Sequence, residues 1–182
     1  RRIYLYETHN IDNAGGGAAS TTLIPARSTG VKYFLPTSAT PSTAQWTAFD
    51  FVDAAWSTGT LGIGYERTPG DAVNFTGLLS TSIEAAMTGL TSFYTRKHFN
   101  VASLGAIRDL TLKMKYDDGF VAYLNGVEVA RRNLTGTPAY NAVAGNHDDN
   151  AALVFEPIVI SKTALRQGDN VLAIHVLNAG AT

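Results

Sequence analysis

The fold of this chain turns on one stretch, Lys115 to Arg132, which reads KYDDGFVAYLNGVEVARR. Its second half places Asn125-Gly126 between two short apolar runs, VAYL and VEVA. Asn and Gly tolerate the positive φ that both central residues of a type I′ turn require, so the pair predicts a two-residue β-hairpin. Just ahead, Leu110 to Tyr116 (LTLKMKY) alternates, with Leu110, Leu112, Met114 and Tyr116 on one side and Thr111, Lys113 and Lys115 on the other. A period of two marks a strand with one buried face.

Between these strands lie Asp117 and Asp118, adjacent carboxylates that pose the chemical question. Glycoside hydrolysis needs two carboxyl groups converging across a sugar, about 5 to 10 Å apart. Neighbours on an extended strand instead point to opposite faces. The pair therefore reads as a turn into Gly119, with one carboxylate bonding backbone or meeting Arg96 on a neighbouring strand.

Working outward, Ile3 to Glu7, Thr22 to Ile24, Val31 to Leu35, Ser92 to Phe99, Ala152 to Ile160 and Asn170 to Leu177 read as further strands, bounded by Gly, Pro, Asn and Asp. Ser92 to Phe99 carries aromatic residues on both faces. Residues 37–75 are the least regular, with a helical turn expected near Phe51 to Trp56, and Ile83 to Leu90 is expected as a short helix. Loops this long in a compact domain are functional or pinned by something. Eight to ten strands, with no long helix and no repeat, predict an all-β fold: an antiparallel two-sheet β-sandwich of jelly-roll type.

A length of 182 residues suits one such sandwich over residues 1–182, with a core large enough to need no staples. The opening RRIYLYETHN has neither an initiator Met nor a signal-peptide apolar region, so the chain is expected to be cut from a longer multidomain protein. Its 14 Lys and Arg nearly balance 15 Asp and Glu, and basic residues never run beyond pairs, which argues against a nucleic-acid partner. No apolar run is long enough to enter a membrane as a spanning helix. There is no cysteine, which excludes disulfides, Cys-ligated metals and thiol nucleophiles.

The succession LIPARSTGVKYF, FDFVDAAWSTGTLGIGYE, SFYTRKHFNV, LTLKMKYDDGFVAYLNGVEVARRN and LRQGDNVLAIHVLN resembles the galactose-binding-like β-sandwich modules of large secreted bacterial proteins, over roughly residues 21–178. Many such modules bind carbohydrate beside a catalytic or cell-surface domain, and many hold a structural calcium ion. The resemblance implies a secreted or cell-surface, non-catalytic accessory role, with a polysaccharide or oligosaccharide and neighbouring domains of the same chain as partners. Ligand choice within such a fold lies in its loops. Two departures stand out. Where relatives read Phe-Asp-Asp-Ser, Asp50 is followed here by Phe51, Val52 and Asp53, and the chain stops before the Ser-Ser-Asp that often follows the last Leu-Asn. A final edge strand is thus missing or supplied by the N-terminal IYLYE.

No sequence motif supports catalysis. There is no G-x-S-x-G elbow, no H-E-x-x-H and no phosphate loop, and His9, His98, His147 and His175 are far apart in sequence. Hard cations take several oxygen ligands, so Ca2+ has three candidate loops: Asp50 and Asp53 with Glu66, the preferred set; Asn146, Asp148, Asp149 and Asn150; and Asp12 with Asn13. None has EF-hand spacing. Sugar binding needs an aromatic plane beside groups that hydrogen-bond hydroxyls. Trp46 and Trp56 belong to the pattern shared across the family and read as packing residues. The preferred ligand set is Tyr65 and Arg67, closing the long loop, with Tyr140, His147, Asp148 and Asp149 in a polar connection near the sandwich rim. The alternative is a structural spacer or adhesion module with no sugar ligand.

Overall fold

A computed structural model describes residues 2–12 and 20–181, with side chains from residue 21 onward. Twelve strands occur among them: β1 (Arg2–Asp12), β2 (Ser20–Ile24), β3 (Val31–Phe34), β4 (Ser57–Gly59), β5 (Ile63–Tyr65), β6 (Thr81–Ser82), β7 (Ser92–Val101), β8 (Ile107–Tyr116), β9 (Gly119–Leu124), β10 (Val127–Arg132), β11 (Glu156–Ile160) and β12 (Gly168–Leu177). One sheet runs β11-β8-β1-β5-β6, with β2 also pairing β1; the other runs β10-β9-β12-β7-β3-β4. Every pairing is antiparallel except the two-residue match of β5 with β6. The fold is the expected all-β two-sheet sandwich.

The hairpin forms as its sequence requires, with Asn125 at φ 50° and Gly126 at φ 90° joining β9 to β10. In β8 the alternating set is buried, and it meets Phe93, Phe120, Leu124, Leu172, Ile174 and Val176 of the opposite sheet. Burying side chains of this kind contributes about 1.5–3 kcal/mol each. Strands β9 and β12 are buried along nearly their whole length, on both faces. Their second face lies under a separate cluster of Trp46, Trp56, Tyr94, Val121, Tyr123, Leu134 and Leu177. Tyr94 and Phe93 thus serve different cores, as the two-faced aromatic pattern of that strand predicted.

The sequence reading needs three corrections here. The helical turn is α1 (Thr43–Trp46), not Phe51 to Trp56. Ser42 and Gln45 form a capping box there, Gln45 Oε1 accepting from Ser42 N at 2.9 Å, while 53–56 closes only a single turn through Trp56 N to Asp53 O. The strand count exceeds ten because β4, β5 and β6 are two or three residues long and lie in the Gly-broken region where no periodicity is visible. Finally, β1 is no edge strand: it lies between β8 and β5.

Candidate functional site

Asp117 and Asp118 are both about 1 % exposed, and a cis peptide joins them. Asp118 Oδ1 accepts from His147 N at 3.2 Å and Oδ2 from Ala179 N at 2.6 Å, while its carbonyl accepts from Asn133 Nδ2 at 2.8 Å. The bend is therefore a staple holding three chain segments at one end of the sandwich. The backbone-bonding half of the turn reading stands. The Arg96 half does not, since the acid beside Arg96 is Asp53. Gly119 follows because a Cβ there would lie 2.7 Å from Ala144 Cβ and 2.8 Å from Arg132 O.

The expected calcium set does not assemble. Asp53 Oδ2 accepts from Arg96 Nε at 2.8 Å and lies 2.9 Å from His98 Nε2. Burial works to raise the Asp53 pKa, but the hydrogen bonds and charges of Arg96 and His98 outweigh it and hold the group below its ordinary value. Glu66 spends Oε1 on Thr68 N and Oγ1 and Oε2 on Phe75 N, so it too ends below its ordinary value although burial opposes this. Asp50 is exposed in a different hollow, beside Phe49, Gly126 and Arg166. Among the described residues, no three His, Asp or Glu side chains gather as a metal site. The residues chosen for Ca2+ do not fit it. In the second loop Asp148 caps the short α2 (Asp149–Ala152), Oδ1 accepting from Asn150 N and Ala151 N at 3.0 Å. The third falls on Asp12, whose side chain lies outside the described residues, and on Asn13, which lies outside them altogether.

The sugar candidates divide. Tyr65 is 1 % exposed, its Oη accepting from Asn178 Nδ2 at 2.9 Å, so it is a core residue and no platform. Its three-residue strand is buried throughout, a fact the surrounding glycines hid. Arg67 lies over that ring at 5.0 Å and donates to the Glu84 carbonyl at 3.2 Å, which fixes it against its own chain. Trp46 and Trp56 pack as expected, Trp46 stacking on Tyr94 at 4.1 Å and 8°.

Tyr140, His147, Asp148 and Asp149 line open hollows at the Asp118 end. One hollow, about 250 Å³, has Pro36, Thr37, Leu90, Thr91, Tyr140 and Asn141 around it. A second, about 470 Å³ and polar, is lined by Asp71, Asn146, His147, Asp148, Asp149 and Asn150. A third, about 250 Å³ and mostly apolar, shares His147 and adds Tyr116, Val154 and Phe155. The His147 ring stacks on Tyr116 at 4.2 Å and 12°, and its Nδ1 lies 2.9 Å from the Tyr116 carbonyl. A carbonyl only accepts, so Nδ1 carries the proton and Nε2 of the neutral ring is the acceptor. Tyr116 Oη donates to Glu156 Oε2 at 2.8 Å and Arg132 Nε to Glu156 Oε1 at 2.7 Å. Burial first, then the Glu156 hydrogen bond and charge, pushes the Tyr116 hydroxyl well up. Ring and imidazole are thus locked from behind. Sequence reasoning missed Tyr116, Phe155, Asn141 and Asp71. The core alternation of β8 hid Tyr116, and nothing local marks the others as neighbours.

No protein-family model and no curated protein sequence matches the chain. Among solved structures it is similar to a β-glucuronidase of an uncultured Clostridium sp., at 17% identity and a TM-score of 0.46, over 84% of this chain and 22% of that one. It is also similar to a β-glucuronidase from glycoside hydrolase family 2, at 14% identity and a TM-score of 0.41, over 95% of this chain and 14% of that one. The chain spans less than a quarter of either enzyme. At these scores the likeness assigns no chemistry to it.

Proposed function

We propose that this protein is a non-catalytic carbohydrate-binding module, secreted or held at the cell surface, which keeps an attached enzyme or surface domain close to polysaccharide. The observation that carries the reading is the grouping, at one sandwich end, of an aromatic ring at Tyr140 and a ring stack at His147 and Tyr116 with amide, hydroxyl and carboxylate side chains. Sugars present apolar ring faces edged by hydroxyls, and this grouping complements both. Asp53, Glu66, Asp118 and Glu156 each serve an amide, a hydroxyl or a cation of the chain itself, which favours recognition over acid/base chemistry. Open, wet hollows of this kind give single-site affinities on the order of micromolar to millimolar. Attachment to an enzyme then raises local substrate concentration.

The test is a glycan array backed by affinity electrophoresis in soluble and insoluble polysaccharides. Retention by one polysaccharide class, lost in Tyr140→Ala, is the expected result. Silence of the folded protein across the panel would replace this reading with a spacer or adhesion module.

A further inference from the structure

The two hollows lined by Tyr140 and by His147 lie at opposite ends of one irregular segment, seven positions apart (147 − 140). That segment is tied down from beneath along its length. Ser92 Oγ donates to the Tyr140 carbonyl at 2.5 Å, Ala144 N to Asn178 O at 2.8 Å, Gly145 N to Asn133 O at 2.6 Å, and His147 N to Asp118 Oδ1 at 3.2 Å. Asn178 N also donates to the carbonyl of Thr91, which lines the Tyr140 hollow, and Ala179 N to Asp118, so both hollows belong to the same end. Between them Ala144 points inward and is buried, while Val143, 51 % exposed, and Gly145 face outward. One position there has a short branched side chain and the other has none, which leaves a low saddle between the hollows.

We propose that residues 140–147 form the floor of one extended cleft with two subsites, so that the ligand is an internal run of several sugars and not a single terminal unit. This inference rests on the carbohydrate-binding reading. The anchors of this segment, Ser92 and Asp118, flank the end of β12 two strand spacings apart, about 10 Å, room for two to three pyranose rings in line. The Tyr140 ring would stack one sugar, His147 Nε2 with Asn146 would bond hydroxyls of another, and the saddle would let the chain pass between. Two linked subsites act on one ligand as one binding event followed by a second at high effective concentration.

The test uses disaccharide to hexasaccharide fragments of the polysaccharide selected by the array, measured by titration calorimetry on the intact protein. The hexasaccharide is expected to bind at least tenfold more tightly than the disaccharide. Gly145→Phe is expected to bring the ratio of hexasaccharide to disaccharide affinity down to about one, at an unchanged melting midpoint. The substitution is sterically open, because a Cβ at residue 145 meets only Asn133 O, at 3.6 Å. Should that variant melt early, Val143→Trp on the neighbouring exposed position makes the same block. A disaccharide as tight as the hexasaccharide, or a hexasaccharide indifferent to both blocks, overturns the two-subsite cleft and leaves sugar binding intact. Silence of the wild type towards every fragment and polymer overturns sugar binding itself.

Discussion

Two irregular segments of this molecule look alike as sequence and behave in opposite ways. Residues 43–56 and 137–149 each mix aromatic residues with Asp, Ala and Gly or Thr, and neither contains more than one helical turn. The first is closed. Arg96, 0 % exposed, sends Nε to Asp53, Nη1 to the carbonyls of Trp46 and Ala48 and Nη2 to that of Phe51, and its guanidinium lies 5.2 Å from the Phe51 ring. One side chain of β7 thus claims the polar groups of a whole strap and presses its rings onto the sheet. Among the described residues no cation makes comparable hydrogen bonds to the second segment. It is held by single hydrogen bonds, with Tyr140 and Ala142 only partly packed on the same cluster around Trp46 and Tyr140, His147 and Asp149 at the edges of hollows. Whether a loop lies flat on the sheet or stays open depends here on what the strand underneath offers its carbonyls more than on its own composition.

The sharpest way to break this contrast is Arg96→Met. It removes four hydrogen bonds and leaves Asp53 with His98 alone, and loss of one partner from a buried pair costs about 3–5 kcal/mol. Urea denaturation should show that loss, with tryptophan fluorescence reporting release of Trp46 and Trp56. A change below 1 kcal/mol, on the order of an ordinary surface substitution, would mean that the strap is held by its rings alone.

A second test concerns His175, buried under the strap edge-on to Tyr94 at 4.8 Å, with neither ring nitrogen hydrogen-bonded. Burial pushes its pKa down to about 3 from an ordinary 6.5. Between those values the unfolded chain holds a proton that the folded chain refuses, so stability is full above about 6.5 and falls as pH drops towards about 3. The slope should approach about 1 kcal/mol per pH unit. Asp53, depressed by Arg96 and His98, loses its contribution in the same direction as pH falls through its folded value. Melting of His175→Leu across this window should show a shallower slope; an unaltered slope would assign the acid sensitivity elsewhere.

Smaller effects are expected on the open segment. Tyr140→Ala should weaken binding of the selected polysaccharide about tenfold, or roughly 1.4 kcal/mol. Its melting midpoint should fall modestly, because the partly buried ring also packs on the Trp46 and Tyr94 cluster, while the Ser92 hydrogen bond is to backbone and survives. Smallest of all, Asp50→Ala should stay within about 0.5 kcal/mol of wild type, with calcium or with chelator alike. A calcium-dependent shift would restore a metal to that loop.

The sandwich, the hairpin at Asn125-Gly126 and the buried face of β8 were legible because local periodicity and turn chemistry specify them. The packing role of Trp46 and Trp56 was legible from their place in a shared pattern. What local sequence could not carry was long-range pairing. Asp53 joins Arg96 across 43 positions, Tyr65 meets Asn178 across 113, and the hydrogen bonds that define the Asp118 end join residues 118, 133, 147 and 179. Of the candidate ligand set, Tyr65 and Arg67 were spent on pairings with distant residues, and Asp148 on a local helix cap. Tyr140, His147 and Asp149 line open hollows.

The strand order carries a consequence for how the protein is made. Strand β1 lies between β5 and β8, and β12 lies between β9 and β7. Strand β1 finds β2 close by in sequence but its partners β5 and β8 far downstream, Thr8 pairing with Leu112, and the second sheet stays split into two pieces until residues 168–177 emerge. Long-range strand pairing of this kind is slow and leaves apolar surface uncovered meanwhile. The first sheet therefore cannot close before β11 is made, nor the second before β12, and the waiting strands are the ones a chaperone would have to shield.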